Sequence, residues 1–300
     1  MSSERGGICR CCPFLFWRKG GSAGGGSLLL GFGKMLEPNV VSVWRIALDS
    51  DWDGDEERAA RSRRLLSQEE LCKADAFRTE RLRCHYVMAH GALRVVLGAC
   101  LGMKPEAVAL TVRGPSEGGE VGTSPSKPAL AESMRGGATG DLRFNLSHTS
   151  GAALIAVTLG REVGVDIERI RPLEDLEAIG QSIFSMEEGS SWEALGEDDR
   201  LAAFYRVWTR KEAYLKAIGL GLFRNLQDVT VPAGVGALGG AEDSRRVRDA
   251  AGEREWWVTD VPVAEEYCGA VCWEGEGVTR VAVADLSSDL DLNLSMRVDE

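Results

Sequence analysis

From Val40 to its C-terminal end the chain runs twice through the same order of patterns, a strand, then helices, then strands, and this repeat constrains the fold more than any other feature. The first pass opens with Val40-Val-Ser-Val-Trp-Arg-Ile46, a β-prone run, followed by the acidic stretch Asp49 to Glu57, which reads as a solvated loop. Ser67-Gln-Glu-Glu70 has capping-box spacing and begins helical sequence. Tyr86 to Leu101 then carries apolar residues at Val87, Leu93, Val96, Leu97 and Leu101, a face that should pack on a sheet. Arg113 to Gly140, rich in Gly, Ser and Pro, reads as loop and contains Ser126-Lys127-Pro128; Asn145-Leu-Ser-His148 reads as a turn before the strand Leu154 to Val157.

The second pass opens with a strand at Val163 to Ile167, continues through helical segments from Leu173 to Ile218, and closes with strands at Asp228 to Val231, Glu255 to Thr259 and Val278 to Val283. Ala233 to Arg254 interrupts it as a surface insertion. These patterns predict two α/β halves, residues 35–160 and 161–300, each a normal size for one unit, after a Gly-, Ser- and Cys-rich extension over residues 1–34.

Chemistry concentrates in the second half. In Gly164-Val-Asp-Ile-Glu168, strand alternation sends Asp166 and Glu168 to one face and Val165 and Ile167 to the other. Two neighbouring carboxylates repel unless a cation lies between them, and hard oxygen ligands suit Mg²⁺; alone, the same pentapeptide fits two solvated acids at a strand end. Phe204 to Gly219 predicts a helix on which Trp208, Glu212 and Lys216 share one stripe, with Phe204, Val207, Leu215 and Ile218 on the buried side. Glu212 and Lys216 by themselves fit a surface ion pair, but a tryptophan on the same stripe has no reason to face open water. Gly219-Leu-Gly221 reads as the cap of that helix, and His148 is the histidine placed at a strand end; His85 and His90 lie within a helical pattern.

Composition narrows the alternatives. A net charge of -11 argues against a nucleic-acid or anionic-membrane partner. No unbroken apolar run approaches the ~20 residues that span a bilayer, so the expected location is the cytoplasm. The eight cysteines have no framework spacing and fit reduced thiols, with Cys72, Cys84 and Cys100 as small core residues; Cys9, Cys11 and Cys12 lack zinc-site spacing. There is no nucleophile elbow, Walker loop, HExxH or dinucleotide fingerprint.

Taken in order and spacing, Phe144-Asn-Leu-Ser-His148, Gly164-Val-Asp-Ile-Glu168 and Trp208-Thr-Arg-Lys-Glu-Ala-Tyr-Leu-Lys216 resemble the surfactin-type 4′-phosphopantetheinyl transferases. Ser126-Lys-Pro128 is similar to that family's GKP element, with serine for the usual glycine, and Ile183-Phe-Ser185 matches the segment before its tryptophan motif. The resemblance implies an α+β fold: a pseudo-twofold monomer of two similar halves, each a small, mostly antiparallel sheet packed with helices, with the site in the cleft between them. It implies that Asp166, Glu168 and Glu212 hold Mg²⁺, that Lys216 neutralises or protonates the leaving phosphate, and that Lys127, Ser147 and His148 bind coenzyme A. His85 stands where an arginine for the 3′-phosphate is expected, with Arg81 or Arg83 as substitutes.

The implied reaction moves phosphopantetheine from coenzyme A to a serine of an acyl or peptidyl carrier protein, with Glu212 taking the serine proton directly or through a water. Two other readings carry different tests. A degenerate module would bind coenzyme A or a carrier without turnover, and a metal-dependent phosphohydrolase would release phosphate with no acceptor.

Overall fold

The computed structural model describes residues 36–49, 52–113, 127–134, 141–219, 225–233, 241–249 and 254–286. The extension over residues 1–34, with Cys9, Cys11 and Cys12, lies outside them, as do Ser126 and Gly221. The chain is α+β. Strand β1 (Val40–Ala47) leads to helices α1 (Trp52–Arg63), α2 (Gln68–Asp75) and α3 (Glu80–Leu101), then to β2 (Leu110–Arg113), β3 (Lys127–Leu130), β4 (Leu142–Thr149) and β5 (Ala152–Leu159). The remainder is β6 (Val163–Arg169), α4 (Leu176–Ile183), α5 (Met186–Glu193), α6 (Glu197–Ile218), β7 (Val229–Thr230), β8 (Arg245–Asp249), β9 (Trp256–Asp260), β10 (Tyr267–Glu274) and β11 (Arg280–Asp285).

One sheet has the order β11-β1-β5-β4 and the other β6-β10-β9-β8-β7, while β2 and β3 form a separate hairpin. All pairings are antiparallel except β1 with β11. The Val278 to Val283 strand read as closing the second half is therefore β11, and it crosses back to pair with β1 in the first sheet. The acidic stretch read as a loop enters α1 at Trp52. Asn145 to His148 is not a turn but the end of β4, paired residue for residue with β5. The Ala233 to Arg254 stretch contains β8.

The pleat sorts side chains into three layers. Trp44, Ile46, Phe144, Ile155 and Val157 face α3 and form one core with Leu93, Val96 and Leu97. Val41, Val43, Leu154 and Ala156 point the other way, against Val163, Val165, Ile167, Val271 and Trp273 of the second sheet. The opposite face of that second sheet, through Val258, Cys268, Ala270 and Cys272, packs on Phe204, Val207 and Leu215 of α6. The result is helix, sheet, sheet, helix. By length and composition α3 could cross a bilayer, though its sequence is interrupted by charge; most of it is buried inside the molecule. Cys84 and Cys100 are half-buried as small core residues should be, whereas Cys72 is exposed.

Both long helices are held the same way. Ser67 caps α2 in a capping box with Glu70, and Glu70 reaches Arg94 of α3 at 2.8 Å. Ser185 caps α5 in a capping box with Glu188, and Glu188 reaches Lys211 of α6 at 2.6 Å. Arg94 donates to the Val108 carbonyl just after a 3-10 turn, and Lys211 to the Val229 carbonyl just after another.

Candidate active site

Gly164 sets the site's geometry. A Cβ there would stand 2.1 Å from the Ala213 carbonyl oxygen and 2.4 Å from the Ala217 nitrogen, so only glycine lets α6 lie directly on β6. Val163, Val165 and Ile167 enter the core between the sheets, leaving Asp166 and Glu168 on the face covered by α6. The same close approach brings Glu212 and Lys216 of α6 over those two acids.

Lys216 does not pair with Glu212, as its helical spacing suggests, but reaches across to Asp166, with Nζ 2.5 Å from Oδ1. It also donates to Ser147 Oγ at 2.9 Å. The Ser147 hydroxyl donates in turn to Asp166 Oδ1 at 2.9 Å and accepts from the Ile167 N–H at 3.4 Å. One donor and two acceptor positions are thereby all used. Asp166 and Ser147 are buried, and they join β4, β6 and α6 at one point.

Two carboxylate oxygens in this cluster, Asp166 Oδ2 and Glu212 Oε1, are buried without a hydrogen-bond partner. Desolvation first, and then the Asp166 and Glu168 charges against the opposing pull of Lys216, push the Glu212 carboxyl up to about 7. Glu168 is raised by desolvation and by Asp166. It is steadied by the Thr149 hydroxyl, 3.4 Å from Oε2, and by the Trp208 side chain, which accounts for a tryptophan on the polar stripe. The Trp208 ring also stacks on Phe204 at 6.4 Å between centroids.

Orphaned buried oxygens, with the Glu168 and Glu212 carboxyls raised beside them, are what a hard divalent cation relieves, and the donor set fits Mg²⁺ in charge and ligand type. In the arrangement described, Lys216 is the cation facing Asp166; among the described residues no three His, Cys, Asp or Glu side chains are gathered closely enough to hold a metal as they stand.

The other expected site residues lie around this cluster. His148 projects from the opposite face of β4 to Ser147 and is exposed; desolvation by packing on its inner side, with His90, Lys216 and His85, pushes its imidazole below the usual range. His85 is buried on α3, with Nε2 2.7 Å from Asp49 Oδ1, and Arg81 takes the other Asp49 oxygen at 2.8 Å. Arg83 pairs with Glu80 at 2.5 Å on its own helix. Lys127 is largely enclosed: Nζ donates to the Val163 carbonyl at 2.8 Å, lies 3.4 Å from the Ala217 carbonyl, and pairs with Glu162 at 3.2 Å. The structure thus gathers Ser147, Asp166, Glu168, Glu212 and Lys216, and places His85 and Lys127 in separate networks. Gly164 and Thr149 were missed as contributors; the glycine preceding two alternate acids was the available signal.

A buried cluster of three acids and one lysine, where the edge strands β4 and β6 meet α6, has the carboxylates to hold a hard cation and a fixed positive charge beside them. The comparisons agree. A family model described as the 4′-phosphopantetheinyl transferase superfamily matches residues 162–272. 4′-Phosphopantetheinyl transferase HetI of Nostoc sp. is 34% identical over 196 residues, covering 65% of this chain and 75% of the relative. 4′-Phosphopantetheinyl transferase AcpT of Salmonella typhimurium is 36% identical over 141 residues, covering 47% of this chain and 64% of the relative. A phosphopantetheinyl transferase of Thraustochytrium sp. is 28% identical over 202 residues, covering 63% of this chain and 65% of the relative. The chain spans three quarters of HetI and slightly under two thirds of the other two. It belongs to the 4′-phosphopantetheinyl transferase superfamily.

Proposed function

We propose that the chain transfers the 4′-phosphopantetheine arm of coenzyme A to a serine of an acyl or peptidyl carrier protein and releases 3′,5′-ADP. The observation that carries this reading is the Ser147, Asp166, Glu168, Glu212 and Lys216 cluster with its two orphaned carboxylate oxygens. Asp166, Glu168 and Glu212 would hold Mg²⁺. Bound there, the ion would neutralise phosphate charge and relieve the repulsion among the three carboxyls.

The chain's own groups then divide the remaining work. Glu212, carried by α6 over Asp166 and Glu168, is the group placed to accept the serine proton, directly or through a water. Lys216, held by Asp166 and Ser147, supplies a fixed positive charge for the departing phosphate. His148, exposed on β4, would meet coenzyme A phosphates, while the buried Ser147 hydroxyl, engaged by Asp166, Lys216 and the Ile167 N–H, would act by orienting Lys216 instead of touching phosphate, with Lys127 and His85 at the flanks. Of the candidate arginines, Arg81 shares Asp49 with His85 and so supports the nucleotide end, while Arg83 is engaged by Glu80.

The halves 35–160 and 161–300 are related by a pseudo-twofold, with the site at their junction. Its support is the order β1-β5-β4 against β6-β10-β9, and the matching locks of Glu70 with Arg94 and Glu188 with Lys211. A cytoplasmic monomer completes the reading.

Calorimetric titration of coenzyme A into the wild type and Glu212→Gln, paired with chromatography of 3′,5′-ADP in the presence of an apo carrier, tests it. Both proteins should bind and only the wild type should release nucleotide. Binding without release by the wild type would point to the degenerate module, and phosphate release without a carrier to a phosphohydrolase.

A further inference from the structure

β4 and β6 are neighbouring edge strands of different sheets, and among the described residues no backbone ladder joins them. Side chains at alternate positions of β4 take the ladder's place. Asn145 Oδ1 accepts from the buried Val165 N–H at 2.9 Å, Ser147 Oγ accepts from the Ile167 N–H at 3.4 Å, and Thr149 Oγ1 meets Glu168 Oε2 at 3.4 Å. Ser147 is shared with Asp166 and Lys216, and Thr149 touches a side chain only. Asn145 is the one of the three whose described bond to β6 is short, buried and made to backbone alone.

We propose that Asn145 is a positioning residue for the transfer: its side-chain carbonyl fixes β6 against β4 and so sets Asp166 against Ser147 and Lys216. This rests on the function proposed above. Asp166 follows Val165 directly, and a slip of β6 relative to β4 would move its carboxylate away from both partners at once. Asn145 faces the layer between the sheets, on the side of the strand that carries Ser147, where its pairing partner on β5 is Ala156. The buried Asn145 amide is accounted for by the Val165 N–H that it satisfies.

Asn145→Val and Asn145→Thr differ only in whether an acceptor oxygen is present, and Ser147 shows that a hydroxyl on β4 can serve a β6 amide. Loss of a supporting hydrogen bond around a metal-ligating acid typically costs roughly 10–100-fold in activity. Asn145→Val is expected to lose kcat by about that factor and to need more Mg²⁺ for half-maximal rate, with KM for coenzyme A little changed. Asn145→Thr should recover most of the loss. Equal kcat and equal Mg²⁺ dependence for the two variants would overturn the proposal. If Asn145→Val does not fold, amide hydrogen exchange decides: the Val165 N–H should be protected in the wild type and exchange at least about tenfold faster in Asn145→Ala, as expected when a structural hydrogen bond is removed, and unchanged protection would overturn it. A wild type that modifies no carrier would count against the function instead, because the amide measurement does not depend on turnover.

Discussion

Lys211 offers the sharpest test of how α6 is held. Its ammonium is fully buried, donates to the carbonyls of Ile183, Leu226 and Val229 at 2.8, 2.7 and 2.8 Å, and pairs with Glu188 at 2.6 Å. Glu188 is itself satisfied by the N–H groups of Ser185 and Val231 at 2.8 and 2.7 Å. Burial pushes the Lys211 amine down and Glu188 opposes that push. Lys211→Met removes the ammonium but leaves a buried carboxylate and three carbonyls unmatched, a loss of about 3–5 kcal/mol for breaking a buried pair. At about 2–4 °C per kcal/mol for a large domain, the melting temperature should fall by roughly 6–20 °C. Circular dichroism during heating reads this out, and Glu188→Gln in the same background should recover part of the loss, because the unpaired buried charge is removed while an acceptor oxygen remains for the Ser185 and Val231 N–H groups. A Lys211→Met protein melting within about 2 °C of wild type, less than 1 kcal/mol on this scale, would refute the reasoning. So would a double variant less stable than either single one.

Three further outcomes follow from the site. Arg94→Met breaks the equivalent lock in the first half, and should cost stability on the same scale of about 3–5 kcal/mol while reducing kcat far less than Lys211→Met, which precedes Glu212 directly; equal kcat losses would contradict this. Gly164→Ala forces a methyl onto the Ala213 carbonyl, so it should cost about 1–3 kcal/mol in urea unfolding and roughly 100-fold in transfer rate if α6 moves by about 1 Å. The Glu212 carboxyl lies near 7 in the fold against 4.5 ordinarily, so the native state holds more protons between those values and metal-free stability should fall as pH rises through that window. The size is on the order of 3 kcal/mol, and it should vanish in Glu212→Gln or with saturating Mg²⁺. An unchanged pH slope in Glu212→Gln would show that the carboxyl is not raised.

Much of this was legible in the sequence where local rules decide. The Ser67 capping box forms as its spacing predicts, and the Val40 and Val163 strands begin where their β-prone runs begin. Phe204, Val207 and Leu215 are buried and Ile218 partly so, following the helical period. What escaped depends on partners far along the chain. Asn145 and Ser147 look like turn residues because their polar groups suit turns, yet here they satisfy β6 amides and sit within a strand. The acidic residues before Glu57 look like loop because no apolar stripe marks the helix that they enter. β8, with Arg245, Arg246 and Arg248 around one buried Val247, has the look of surface coil, and β10, buried on both faces, shows no alternation that marks a strand. The last strand has an ordinary pattern, but nothing local says that it pairs with β1 rather than the second sheet. In the site, sequence spacing placed Asp166, Glu168, Glu212 and Lys216 on the right faces; it could not show that Lys216 reaches Asp166 across two elements instead of Glu212 one turn away.

The central claim is transfer itself, and intact-mass spectrometry of an apo carrier protein incubated with this protein, coenzyme A and Mg²⁺ measures it most directly. The account predicts a mass gain of one phosphopantetheine, lost when EDTA is included and lost in Glu212→Gln. No gain on any of several carriers by a folded protein that still binds coenzyme A would contradict it.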